Sequence, residues 1–143
     1  MSAYSHTYYS IPESEDMMLD NIEEILLKHN IDDDLSHAIK LSVSEGFTNA
    51  MVHGNINTPH KKIIIEVEIN QESIRVDILD EGQKGIEKIK NRKAPGLLAE
   101  EGRGINLIHH YAKKVFFEEI GSGGLKVTMI FDRKIEKKEN ILR

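Results

Sequence analysis

The stretch LSVSEGFTNAMVHGN, from Leu41 to Asn55, reads as helix and carries Glu45, Asn49 and His53 at steps of four. Steps of four keep side chains on one helix face. A carboxylate, an amide and an imidazole therefore share a row. At about 100° per residue, Ile39, Val43, Phe47 and Ala50 form an apolar sector and the polar row falls roughly opposite. Taken alone, such a row is a solvated back face, and what ends it is the pair Gly54-Asn55.

Two further clusters change that reading. In DILDEGQKGI, Asp80 ends an apolar strand and a glycine-bearing turn follows at once. Asp and Gly are ordinary at strand ends. A carboxylate fixed at a pocket floor would also accept from the exocyclic amine of adenine, since an ionised carboxylate only accepts hydrogen bonds. Guanine presents a carbonyl at that place and would be repelled. In EGRGINLIHH, Gly102 and Gly104 precede a helix. Backbone amides at a helix start hold phosphate, and glycine lets phosphate come close. The segment lacks the lysine pattern of a P-loop and does not follow a strand as a dinucleotide fingerprint does.

The elements that must position these groups follow from periodicity. Tyr4–Ile11 reads as a first strand ended by Pro12. Met18, Ile22, Ile25 and Leu26 mark a helix, with Ser14 as its cap and Asn30 as its stop. The helix of the polar row follows, capped by Asp33 or Asp34. KKIIIEVEIN and ESIRVDILD alternate as strands around an Asn70-Gln71-Glu72 turn. From Glu81 to Gly102 periodicity fades, and that span holds four of the ten glycines and many lysines. So long a connection suggests a lid. Lys84, Lys88, Lys90, Arg92 and Lys93 lie in or beside it. They are either plainly solvated, or placed to favour closure over polyphosphate or to dock an acidic partner. A short helix, GINLIHHYA, and two strands, KKVFFEEI and LKVTMIFDR, complete the order. Hairpins imply mostly antiparallel pairing. Helices grouped on one side of such a sheet make an α+β two-layer sandwich.

Composition narrows the class. A chain of 143 residues fits one domain, 1–143, with a charged tail over about 133–143. It has no cysteine, which excludes disulfide scaffolds, thiolate metal sites and cysteine nucleophiles. The net charge of −5 argues against a general nucleic-acid footprint. No run is long enough for a membrane span, and the start lacks a signal pattern. A cytoplasmic protein is expected. His109-His110 has no metal-ligand spacing with the other histidines.

In order, E-x-x-x-N-A-x-x-H-G, D-x-G and G-R-G-I resemble the N, G1 and G2 boxes of the histidine-kinase-like ATPase superfamily. Within it the chain most resembles the anti-sigma regulatory factor family of small bacterial serine kinases, over roughly Tyr8 to Phe131. The resemblance implies the Bergerat-type two-layer sandwich, with ATP held between helices and lid. It implies that Asn49 supplies an amide oxygen to Mg²⁺, and that Glu45 takes the proton of a serine or threonine on a partner. Asp80 would accept from the adenine amine, with Gly82 giving room for the ring and Gly85 completing the turn. Gly102, Arg103 and Gly104 would contact phosphates, and His53 would sit at the lid side. The partners implied are a sigma factor and a small antagonist protein, and the family suggests a homodimer; neither nucleic acid nor membrane is implied. A non-catalytic module that binds nucleotide only to set its shape is the alternative. The chain departs from the family in three places: Gly85 comes one residue later than in D-x-G-x-G, YAKKV lacks an acid before the valine, and Gly124-Leu125 replaces Gly-Thr. These departures bear on rate and partner choice more than on nucleotide binding.

Overall fold

The computed structural model describes residues 1–87, 108 and 110–133. The order is β1 (Ser2–Tyr9), α1 (Glu13–Lys28), α2 (Asp33–Asn49), a π-helical turn (Ala50–Gly54), β2 (Lys62–Ile69), β3 (Ser73–Leu79), β4 (Lys114–Ile120) and β5 (Gly124–Asp132). The five strands form one sheet in the order β1-β2-β3-β5-β4. A mostly antiparallel mixed sheet was the expectation; among the described residues every pairing is antiparallel. The β1–β2 connection reverses the chain, and β4, which runs the same way as β3, is separated from it by β5.

Alternation decides which face is covered. Ile63, Ile65, Val67 and Ile69 of β2, Ile74, Val76 and Ile78 of β3, and Leu125, Val127, Met129 and Phe131 of β5 are all buried. Their partners on the other face include Glu66, Glu68, Arg75 and Lys126, which pair across strands away from the core. The helices close the buried face with Met18, Ile22, Ile25 and Leu26 of α1 and Ile39, Val43 and Phe47 of α2. This is the two-layer sandwich. Tyr8 packs edge-on against Phe47 at 5.8 Å. Burial pushes its phenol pKa up, and a hydrogen bond donated by Asn21 partly offsets that rise.

Local signals were right in kind and displaced in position. Asn30 does stop α1, at a left-handed φ of 53°. Ser14 does not cap α1: the helix starts at Glu13, Pro12 stands at the cap position, and Ser14 is buried within the first turn. Asp32, not Asp33 or Asp34, caps α2. Its extended backbone lets the carboxylate accept from Leu35 N at 3.2 Å, while the next two acids are already helical. β1 is shifted two residues toward the N-terminus, because its register on β2 pairs Ser2 with Ile69 and Tyr9 with Lys62. Most of the expected lid, the glycine–arginine–glycine stretch and the charged tail lie outside the described residues.

Candidate functional site

The polar row begins in regular helix. Glu45 and Asn49 are both half-buried on α2, one turn apart. Beside them, Thr48 donates to Glu15 of α1 at 2.9 Å and ties the two helices together where the row starts. The Asn49 Nδ2 atom is buried and has no hydrogen-bond partner among the described residues. Unpaired buried polar atoms are costly, and each asks for an explanation.

After Asn49 the helix changes. Ala50–Gly54 forms a π-helical turn, closed by Asn55 N donating to Ala50 O at 2.7 Å. Such turns wind more residues per turn and occur mainly at functional sites. The step of four keeps Glu45 and Asn49 aligned, and His53 follows, half-buried inside the wider turn. The expected row thus begins in regular helix and ends in a π turn. Nothing in an amino-acid pattern read at 100° per residue shows that change of winding.

The π turn delivers Gly54 to the end of β3. Asp80, just beyond that strand, is 7% exposed. Its Oδ1 accepts from Gly82 N at 2.9 Å and from Leu125 N at 3.0 Å, and its own N donates to Leu125 O at 3.0 Å. The carboxylate rests on Gly54, where any side chain would overlap Oδ2. Gly82 in turn lies on the Gly54 carbonyl, so a methyl there would strike backbone. These two glycines let α2, β3 and the following turn meet without side chains between them. An ionised carboxylate offers about four acceptor sites. Two amides on one oxygen fix its direction.

Asn55 finishes the construction and was not singled out as a site residue from sequence. It is fully buried. Its Nδ2 donates to Lys62 O at 3.0 Å and its Oδ1 accepts from Glu81 N at 2.8 Å. The Glu81 carboxylate accepts from Lys62 N in return. The available signal was the Gly54-Asn55 pair itself, which reads as a helix end and not as a link between strands. Beyond it, Ile56 and Asn57 both hold left-handed φ values of 51°. That conformation is uncommon for asparagine and an outlier for a β-branched residue.

Of the residues expected at the site, the structure brings together Asp80 and Gly82 with Gly54, and it seats Gly85 against Leu125. Glu45 and Asn49 share the helix that leads there. Gly102, Arg103 and Gly104 lie outside the described residues. Among the described residues no group of three or more His, Asp or Glu side chains could hold a metal ion.

The model of the histidine kinase-like ATPase domain matches residues 10–131. An anti-sigma F factor of Oceanobacillus iheyensis is 34% identical over 101 residues, which is 67% of this chain and 66% of that protein. An anti-sigma F factor of Clostridium botulinum (strain Eklund 17B / Type B) is 33% identical over 109 residues, 73% of this chain and 71% of that protein. The crystal structure of the RsbU and RsbW domains of Rv1364c from Mycobacterium tuberculosis superposes with a TM-score of 0.68 at 16% identity, over 92% of this chain and 32% of that one. That last likeness bears on the fold. With the family model covering both the α2 row and the Asp80 turn, the chain belongs to the histidine kinase-like ATPase family, in its anti-sigma regulatory branch.

Proposed function

We propose that this chain is an ATP- and Mg²⁺-dependent serine/threonine protein kinase of the anti-sigma type, acting in the cytoplasm as a homodimer. It holds a sigma factor inactive and phosphorylates a small antagonist protein, so that partners exchange with the state of that hydroxyl. The observation that carries the nucleotide part is Asp80: a buried carboxylate, aimed by two backbone amides, at a turn opened by glycine. Such a group suits an amine donor on a flat base, and adenine has one where guanine has a carbonyl.

Asn49 suits Mg²⁺. The oxygen and nitrogen of an amide are assigned from their hydrogen bonds, and here the buried nitrogen has none among the described residues. Turned over, the amide presents an oxygen to a hard cation that keeps most of its ligands as water and phosphate. The ion would neutralise charge on the transferred phosphoryl group. Glu45, one turn earlier, accepts the proton of the partner's hydroxyl. Gly102, Arg103 and Gly104 would take the phosphates, with Arg103 offsetting developing charge. Gly82 and Gly85 keep side chains out of the base pocket, and His53 would line its lid side. Leu125 favours a second reading. It is a buried aliphatic residue against Gly85, where the resembling family carries a hydroxyl. On that reading the chain is a nucleotide-dependent interaction module without catalysis.

Radiolabel transfer from ATP to a partner co-purified from the native cell separates the two, with nucleotide affinity measured beside it. Asn49→Ala should lose Mg²⁺-dependent ATP binding and transfer together. Glu45→Ala should keep ATP binding while transfer falls by about 10²–10⁴-fold, the scale of general-base help. A Glu45→Ala rate equal to wild type sinks the base assignment. Wild type that binds ATP and a verified partner yet transfers nothing is the module.

A further inference from the structure

We infer that Asn55 is a positioning residue that aims Asp80, and so sets the preference for adenine over guanine. The inference rests on the nucleotide reading above and adds a residue to it.

The geometry is a clamp on one peptide plane. The plane between Asp80 and Glu81 has a carbonyl edge and an amide edge. Its carbonyl packs against Gly124, and its N–H donates to Asn55 Oδ1 at 2.8 Å. The preceding plane is held as well, by Asp80 N on Leu125 O at 3.0 Å. With both flanking planes fixed, the direction in which the Asp80 side chain leaves the backbone is fixed. Asn55 is the only one of these holds that comes from a side chain of the α2 side. Its backbone closes the π turn on Ala50 O, and its amide nitrogen reaches Lys62 O at the start of β2. One fully buried residue therefore joins the helix of Glu45 and Asn49, the first residue of β2 and the turn that carries Asp80.

Freeing that turn has a directional consequence. A well-aimed carboxylate rewards the adenine amine and penalises the guanine carbonyl. A carboxylate free to swing does less of both. Loss of Asn55 should therefore compress the ratio of ATP to GTP affinity. General loosening of the fold lowers both affinities together and leaves the ratio alone.

The experiment is calorimetry with ATP and with GTP on wild type, Asn55→Ala, Asn55→Ser and a control, Ile74→Val. The control trims a fully buried β3 side chain remote from the clamp. Asn55→Ala removes both side-chain bonds and should weaken ATP binding by roughly 10- to 100-fold, the scale of one or two buried polar groups left unpaired. GTP binding should fall less, so the ratio shrinks. Asn55→Ser keeps a short hydroxyl and should fall between. Ile74→Val should lower the melting temperature at an unchanged ratio. Circular dichroism gives the folded fraction, and Asn55→Ser decides the matter where Asn55→Ala does not fold. Amide exchange on wild type is independent of both: Glu81 N–H should be protected before nucleotide is added. A folded Asn55 variant with the wild-type ratio overturns the inference, as does fast exchange at Glu81. Wild type that binds no ATP overturns the nucleotide reading beneath it.

Discussion

The two ends of β3 use the same device to opposite purpose. At its start, Asn70 Oδ1 accepts from Glu72 N and Ser73 N, both at 2.8 Å. At its end, Asp80 Oδ1 accepts from Gly82 N and Leu125 N. Each is one side-chain oxygen holding two backbone amides. Asn70 is exposed and its amides lie two and three residues away, so its bonds shape a hairpin turn and nothing else. Asp80 is buried and one of its amides is 45 residues distant. Its bonds join separate parts of the sheet while its charge stays inside the protein. A carboxylate at Asn70 would serve the turn equally well. At Asp80 burying a carboxylate is expensive, and the bonds that hold it come from two separate segments and not from a turn alone.

This contrast orders the expected effects of substitution. The largest belongs to Gly82→Ala. Its new methyl meets the Gly54 carbonyl, which is backbone and has nowhere to go. Overpacking of this kind costs about 1–3 kcal/mol of stability, and calorimetry should find ATP binding lost as well. Wild-type affinity in this variant would mean that the base does not use the Gly82 turn. Next is Asp80→Asn. The amide oxygen still accepts from Gly82 N and Leu125 N, so the melting temperature should stay near wild type. Its NH₂, however, faces the adenine amine, and ATP affinity should drop by about 1–3 kcal/mol. An unfolded Asp80→Asn protein would make the charge a structural requirement. Smallest is Asn70→Ala. Two exposed turn bonds are lost, for about 0.5–1.5 kcal/mol of stability by denaturant titration, with ATP affinity unchanged. A change in affinity there would erase the distinction between the two ends of the strand.

The sequence foretold the layers well, because strands β2 and β5 alternate and the apolar stripes of α1 and α2 repeat at helical spacing, while β3 departs from alternation only where Asp77 is buried. Ile39, Val43, Phe47 and Ala50 are buried as their spacing requires. Caps were harder, since three acids in a row, Asp32 to Asp34, offer equal chemistry and only backbone conformation separates them. Within the site, Asp80 and its glycine were visible as residue types at a strand end. Asn55 was not, because its two partners, Lys62 O and Glu81 N, lie on segments brought to it only by the tertiary fold. The π turn escaped for a different reason: a change in winding leaves no mark on composition.

The placement of β5 between β3 and β4 has a consequence for how the molecule comes into being. β2–β3 and β4–β5 are hairpins whose strands are close along the chain. The seam between β3 and β5 joins segments far apart in sequence, and contacts of that kind form slowly because a long loop must first be closed. Asp80 receives Leu125 N across that seam. The carboxylate thus acquires its final aim only when the two hairpins have met. In a refolding reaction, helical and hairpin signals should rise first and capture of a fluorescent ATP analogue should trail them. Simultaneous recovery of both signals would show that the seam closes with the hairpins and not after them. On the expected order, a newly made chain gains its ligand at the last step of its own assembly, and nucleotide then acts on the closed seam as a latch against reopening.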